Sequence, residues 1–164
     1  MNGDSKPEDG KTAYKLDAID RRILNALQER GDIPLAELAK KAGLSQTPCW
    51  KRVQRLEADG VLTRRVALVD PQKVGLGLTV FVAVEATEHS AEWLRRFTDA
   101  LTKRSEVIEV YRMAGDIDYM LKVVVADMAA YDAFYKSLIT AVPLKNVSSR
   151  FAMEHIKATT ALAL

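Results

Sequence analysis

Leu16, Ile19, Ile23, Leu24 and Leu27 recur at three- and four-residue intervals, which predicts an amphipathic helix with Asp17 as its N-cap and Gly31 just past its end. Leu35, Leu38, Ala39 and Ala42 mark one face of a shorter helix that stops at Gly43, with Pro34 in its first turn, where no N–H is needed. A third helix starts at Ser45 as N-cap, carries Pro48 in its first turn and runs to Gly60. After Gly60 the period changes. Val61–Val69 reads as a strand, Asp70-Pro71-Gln72-Lys73 as a turn, and residues 74–77 (VGLG) as a hinge.

Beyond the hinge the elements alternate. Leu78–Glu85 is a predicted strand, Glu92–Arg104 a helix with Trp93, Leu94, Phe97 and Leu101 on its apolar face, and Val107–Met113 a strand. Gly115–Asp118 is a tight turn into a strand over Tyr119–Val125; Asp127 then caps a helix, and Val147–Ile156 is a final strand. The order βαββαβ is that of a ferredoxin-like unit, a four-stranded antiparallel sheet with both helices on one face. Val82, Val84, Tyr119, Leu121, Val123, Phe151 and Met153 are expected to point one way, and Phe81, Ala83, Met120, Val124 and Ala152 the other. A sheet with two apolar faces and helices on one of them calls for a partner, and a second copy of the same sheet supplies it.

Composition adds limits. The 164 residues are 48% hydrophobic and 28% charged, an ordinary globular balance that excludes bulk disorder. Residues 1–14 lack apolar periodicity and read as a loose tail. No apolar run approaches a membrane span, the N-terminus has no secretory h-region, and the single cysteine, Cys49, forms no intrachain disulfide; a reducing cytoplasm is expected. Net charge is only +2, but residues 11–66 hold 12 Lys and Arg against 7 Asp and Glu. That is the footprint of a polyanion-binding half joined to a near-neutral one.

The third helix gives this charge a use. At 100° per residue Cys49, Val53 and Leu56 share the inward face, while Thr47, Lys51 and Gln54 lie opposite, flanked by Trp50 and Arg55. Gln46 opens the helix and Arg52 stands at its flank. Cations, amide, hydroxyl and indole on one face suit phosphates and major-groove base edges. The short Gly-containing turn Ala42-Gly43-Leu44-Ser45 before it makes a helix-turn-helix, with double-stranded DNA as the partner. Arg64 and Arg65 either extend the phosphate contacts or are solvated strand-edge charges.

The remaining chemistry-bearing residues form no catalytic set. His89 and His155 are isolated and show no metal-ligand spacing; no glycine-rich phosphate loop or nucleophile–base pair appears, so no enzyme activity is expected. Cys49 reads as a buried, inert thiol. Gly115-Asp116-Ile117-Asp118 explains itself as a turn, and its carboxylates beside backbone N–H groups also suit a zwitterion.

The expected architecture is α+β: residues 1–14 a tail, 15–62 a winged helix-turn-helix domain, 63–77 a linker strand and hinge, and 78–164 a ferredoxin-like domain for ligand binding and oligomerisation. Residues 16–164 resemble the Lrp/AsnC (feast/famine) family of transcription regulators through Leu16-Asp17 with Asp20, Gly43-Leu44-Ser45, Thr47-Pro48-Cys49, Arg52-Val53, Arg55-Leu56-Glu57, Gly60-Val61 and Gly115 through Tyr119. The resemblance implies DNA binding, homodimers that assemble into octamers, and an amino-acid effector as the only small-molecule partner. It marks Gly115, Asp116, Asp118 and Tyr119 as effector residues, together with Ser148 and Ser149. Thr47-Pro48-Cys49-Trp50-Lys51-Arg52, Arg112-Met113-Ala114-Gly115 and Phe151-Ala152-Met153-Glu154 look like the family's cysteine-responsive branch, which activates cysteine-degrading genes. L-cysteine is therefore the expected effector. Branched-chain amino-acid regulators share the same framework, and an effector-free nucleoid-organising protein is a third reading.

Overall fold

A computed structural model describes residues 14–164, so all but the last residue of the expected tail lies outside the described residues. The chain divides into two compact units, one ending at Leu68 and taking in Ala158–Leu164, the other spanning Val69–Lys157. The C-terminal residues thus fold with the helical unit, whereas the sequence pattern assigned them to the second domain. Gln28 explains this: its amide accepts from Leu162 N–H at 2.6 Å and donates to Leu162 C=O at 3.2 Å.

In the first unit α1 is Ala18–Glu29, α2 Leu35–Ala42 and α3 Gln46–Ala58. Asp17 caps α1 as expected, accepting from Ile19 N at 2.8 Å and Asp20 N at 2.7 Å. Pro34 sits one residue before the first helical position of α2, at the N-cap, and Gly43 ends the helix in the left-handed region at φ 74°. That conformation favours glycine and lets Leu44 N–H reach Ala39 C=O at 2.9 Å, which sets the short turn into α3. Ile23, Leu27, Leu38, Ala42, Cys49, Val53 and Leu56 bury their side chains together. Each large aliphatic among them contributes about 1.5–3 kcal/mol.

The strand expected over Val61–Val69 is not formed among the described residues; the segment pairs with no strand, so no wing strand accompanies the three helices. Val66, Leu68 and Val69 are exposed there. A strand needs a neighbour to satisfy its amides, and among the described residues this segment has none.

The second unit is the expected ferredoxin-like domain. Its elements are β1 Leu78–Ala86, α4 Ala91–Thr102, β2 Val107–Arg112, β3 Tyr119–Val125, α5 Met128–Ala141 and β4 Leu144–Phe151. All pairings are antiparallel, in the spatial order β2-β3-β1-β4. Val80, Val82, Val84, Leu121 and Val123 pack against Trp93, Phe97 and Leu101 of α4 and Tyr131, Phe134 and Leu138 of α5. Trp93 stacks on Phe97 at 4.8 Å between ring centroids, and its indole N–H donates to Pro143 C=O at 2.8 Å.

β4 starts and ends earlier than the alternation predicted, and its first residue, Leu144, faces Ala86, where β1 ends. Pairing runs from Ala86 with Leu144 to Val80 with Phe151. Met153 therefore lies outside the sheet and is 97% exposed, not on the core face. Phe151 does share the helix face, edge-on to Tyr131. The opposite face is not wholly apolar. Phe81, Ala83, Met120 and Val124 form its centre, but register places Lys122 and Arg150 on either side of Phe81, and Ser148 beside Ala83. Glu109 and Lys122 make an ion pair there at 2.8 Å.

Candidate nucleic-acid interface and effector turn

The α1 capping box and the α3 flank meet. Asp20, at the third position of α1, is 1% exposed. Its Oδ1 accepts from Arg52 Nη1 at 2.8 Å and from Arg55 Nη2 at 2.9 Å, and its Oδ2 from Arg55 Nη2 at 2.8 Å. Arg52 Nη1 also lies 2.6 Å from Asp17 Oδ2. The Asp20 backbone N–H and the Arg52 guanidinium hold the Asp17 carboxyl down at about 2, and the same carboxylates push Arg52 up.

Gln46, Thr47, Trp50, Lys51 and Gln54 are exposed, and Trp50 is 43% open to solvent despite its size. Among the described residues Lys51 makes no ion pair. The structure therefore splits the predicted reader set. Thr47, Trp50, Lys51 and Gln54 form a continuous outward face, whereas Arg52 and Arg55 turn toward α1. Arg65 pairs with Glu57 at 3.3 Å, and Arg64 is exposed. The sequence reading marked Asp20 only through resemblance; a carboxylate at the third helical position reads as an ordinary capping residue, and nothing local says that it is buried by another helix.

The effector candidates also separate. Gly115 has φ 137°, a conformation that L side chains rarely adopt, and Asp116 beside it is exposed. Asp118 is engaged in the fold: its N–H donates to Val84 C=O at 3.0 Å, its C=O accepts from Met113 N–H at 2.8 Å, and its Oδ2 accepts from Ala86 N–H at 2.8 Å. His89 Nε2 stands 3.8 Å from its other carboxylate oxygen. Tyr119 is buried, with its ring 4.7 Å from that of Phe97. Ser148 and Ser149 do not join the turn as a pair. They sit on β4, on opposite faces of the sheet, and the Ser149 hydroxyl is hydrogen-bonded to Tyr131 on the helix side. A cavity of about 220 Å³, lined by Phe97, Leu101, Val107, Val110 and Tyr119, opens between α4 and β2; the composition of this lining gave no signal in sequence because it joins three elements.

A helix-turn-helix with a polar, cationic outward face, joined to a ferredoxin-like domain, defines a DNA-binding regulator with a ligand-binding module. Residues 16–57 match the AsnC-type helix-turn-helix domain and residues 79–162 the Lrp/AsnC ligand binding domain. The chain belongs to the Lrp/AsnC family of transcription regulators. It is 51% identical to the DNA-binding transcriptional activator DecR of Escherichia coli K12, covering 91% of this chain and 99% of that one. It is also 51% identical to the glutamate uptake regulatory protein of Zymomonas mobilis, covering 92% of each. A transcriptional regulator from Neisseria meningitidis, solved as its complex with L-Met, superposes with a TM-score of 0.87 at 32% identity, covering 91% of this chain and 97% of that one. The matched domains and relatives are of regulators, not enzymes. No helix among the described residues is long and apolar enough to cross a membrane.

Proposed function

We propose that this regulator couples DNA binding to L-cysteine and controls cysteine degradation in the cytoplasm, as a homodimer capable of assembling into octamers. The observation that carries the effector class is the cavity lined by Tyr119, the residue that follows the Gly115–Asp118 turn. Its lining is mostly apolar, which suits a small side chain such as a thiol and leaves the charged carboxylate of glutamate without a partner. The exposed Asp116 carboxylate takes the effector's ammonium, while Asp118 holds the turn against β1. Identity to DecR supports cysteine among the small side chains. The equal identity to a glutamate uptake regulator favours glutamate as the second reading.

A ligand shifts DNA affinity only if it prefers one state of the protein, and a coupling of about 1–3 kcal/mol is typical. The test is a titration of L-cysteine, L-glutamate, L-leucine, L-methionine and L-serine against DNA binding under reducing conditions, with Asp116→Asn in parallel. Cysteine alone should shift the DNA affinity, and Asp116→Asn should remove the shift. A response to glutamate and not cysteine establishes the second reading, and a response to leucine a branched-chain regulator. A protein that answers to no amino acid is a DNA-binding protein without an effector of this class.

A further inference from the structure

A carboxylate as deeply buried as Asp20 persists only when its charge is matched, because an unpaired buried ion is very costly. Here α3 supplies the match with Arg52 and Arg55, two of its three cations, the third being Lys51. Helical geometry explains the division. Taking Cys49 as facing the core, Arg52 and Arg55 project on the flank nearest α1, and Lys51 lies close to the pole opposite the core with Thr47 and Gln54. Arg55 keeps a side chain 48% exposed, and yet both its short contacts are to the two Asp20 oxygens. The pairs are charge-assisted, so they are strong and geometrically demanding.

We propose that Asp20 is the positioning residue of the DNA-binding surface: it withholds Arg52 and Arg55 from phosphate contact and uses them to seat α3 on α1, leaving Lys51 as the α3 cation that meets the duplex. The inference rests on α3 being the helix that contacts DNA. It separates two jobs that a basic helix would otherwise combine. Every cation that neutralises a phosphate releases counterions and steepens the salt dependence of binding, whereas a cation already neutralised by a protein carboxylate does not. A merely structural Asp20 would alter stability and leave this salt dependence untouched.

The experiment measures binding of the full-length protein to a mixed-sequence DNA duplex by fluorescence anisotropy across a salt series, with folding checked by circular dichroism. Lys51→Gln should lower the slope of log affinity against log salt by about one per bound protomer. Arg52→Gln and Arg55→Gln, each of which leaves Asp20 one arginine partner, should keep the parent slope while lowering the melting temperature. Asp20→Asn should steepen the slope, since the released arginines reach phosphates. Should Asp20→Asn fail to fold, the two arginine variants decide the matter by themselves. A fall in slope for Arg52→Gln or Arg55→Gln matching that of Lys51→Gln overturns the inference and leaves the α3 reading standing. A folded Asp20→Asn with the parent slope overturns it too. An unchanged slope for Lys51→Gln removes the α3 reading itself, and the inference with it.

Discussion

The Asp118 carboxylate accepts the Ala86 backbone N–H at 2.8 Å, so the turn between β2 and β3 is tied to the end of β1 by one of its own acidic residues. Asp118 therefore supports the effector turn from within. Replacing it with Ala should leave the Ala86 N–H without this partner and destabilise the second unit by about 1–3 kcal/mol. Urea unfolding in a Trp50→Phe background, where fluorescence reports Trp93 of this unit, checks the value. A variant as stable as the parent would show that the bond contributes nothing.

Asp17 makes the helical unit acid-sensitive. Its folded pKa is depressed from its ordinary 3.8 to about 2, so its contribution is fully present above about 4 and is lost as pH falls through about 2. The expected outcome is a helical unit whose melting temperature drops across that window. In Asp17→Asn the drop should be smaller, because the residue no longer titrates. Thermal melts of both proteins at a series of acidic pH values read the difference directly.

Gln54 lies on the outward face of α3, with the amide geometry for a bidentate pair with adenine. Once a preferred site has been selected from a randomised duplex pool, Gln54→Ala should cost about 1–3 kcal/mol at one base position and relax the preference there. Binding to non-specific DNA should change little. An equal loss on all sequences would instead make Gln54 a backbone contact.

Phe81 and Phe151 stand on opposite faces of the sheet. Phe81 is 38% exposed between Lys122 and Arg150 on the face without helices, whereas Phe151 meets Tyr131 edge-on. If the open face joins two copies, Phe81→Lys should yield a folded monomer in sedimentation equilibrium. Phe151→Lys should lower stability first, through loss of the aromatic contact with Tyr131. An unmodified protein that sediments as a monomer would contradict the dimer outright.

The helices α1, α2 and α3 and the βαββαβ order were legible because each rests on local information. Asp17 and Gly43 are cap signals, the apolar residues repeat at helical spacing, and the second-unit strands alternate or run apolar between clear turns. Tyr119–Val125 was bounded correctly, since the turn before it and Asp127 after it fix both ends. The outward face of α3 was equally readable, because side chains on a single helix share a known angular relation.

What failed to be legible depended on partners remote in sequence. The reading of Val61–Val69 as a strand was right about β propensity and wrong about pairing, since a ladder needs a second strand and none lies beside it among the described residues. The polar positions of the open face were decided by register across three strands. Arg52 and Arg55 look like DNA-facing cations from α3 alone. Only the packing of α1 against α3 brings the buried Asp20 to them, because an ion pair spanning more than thirty residues is fixed by tertiary geometry and leaves no periodic trace in the sequence.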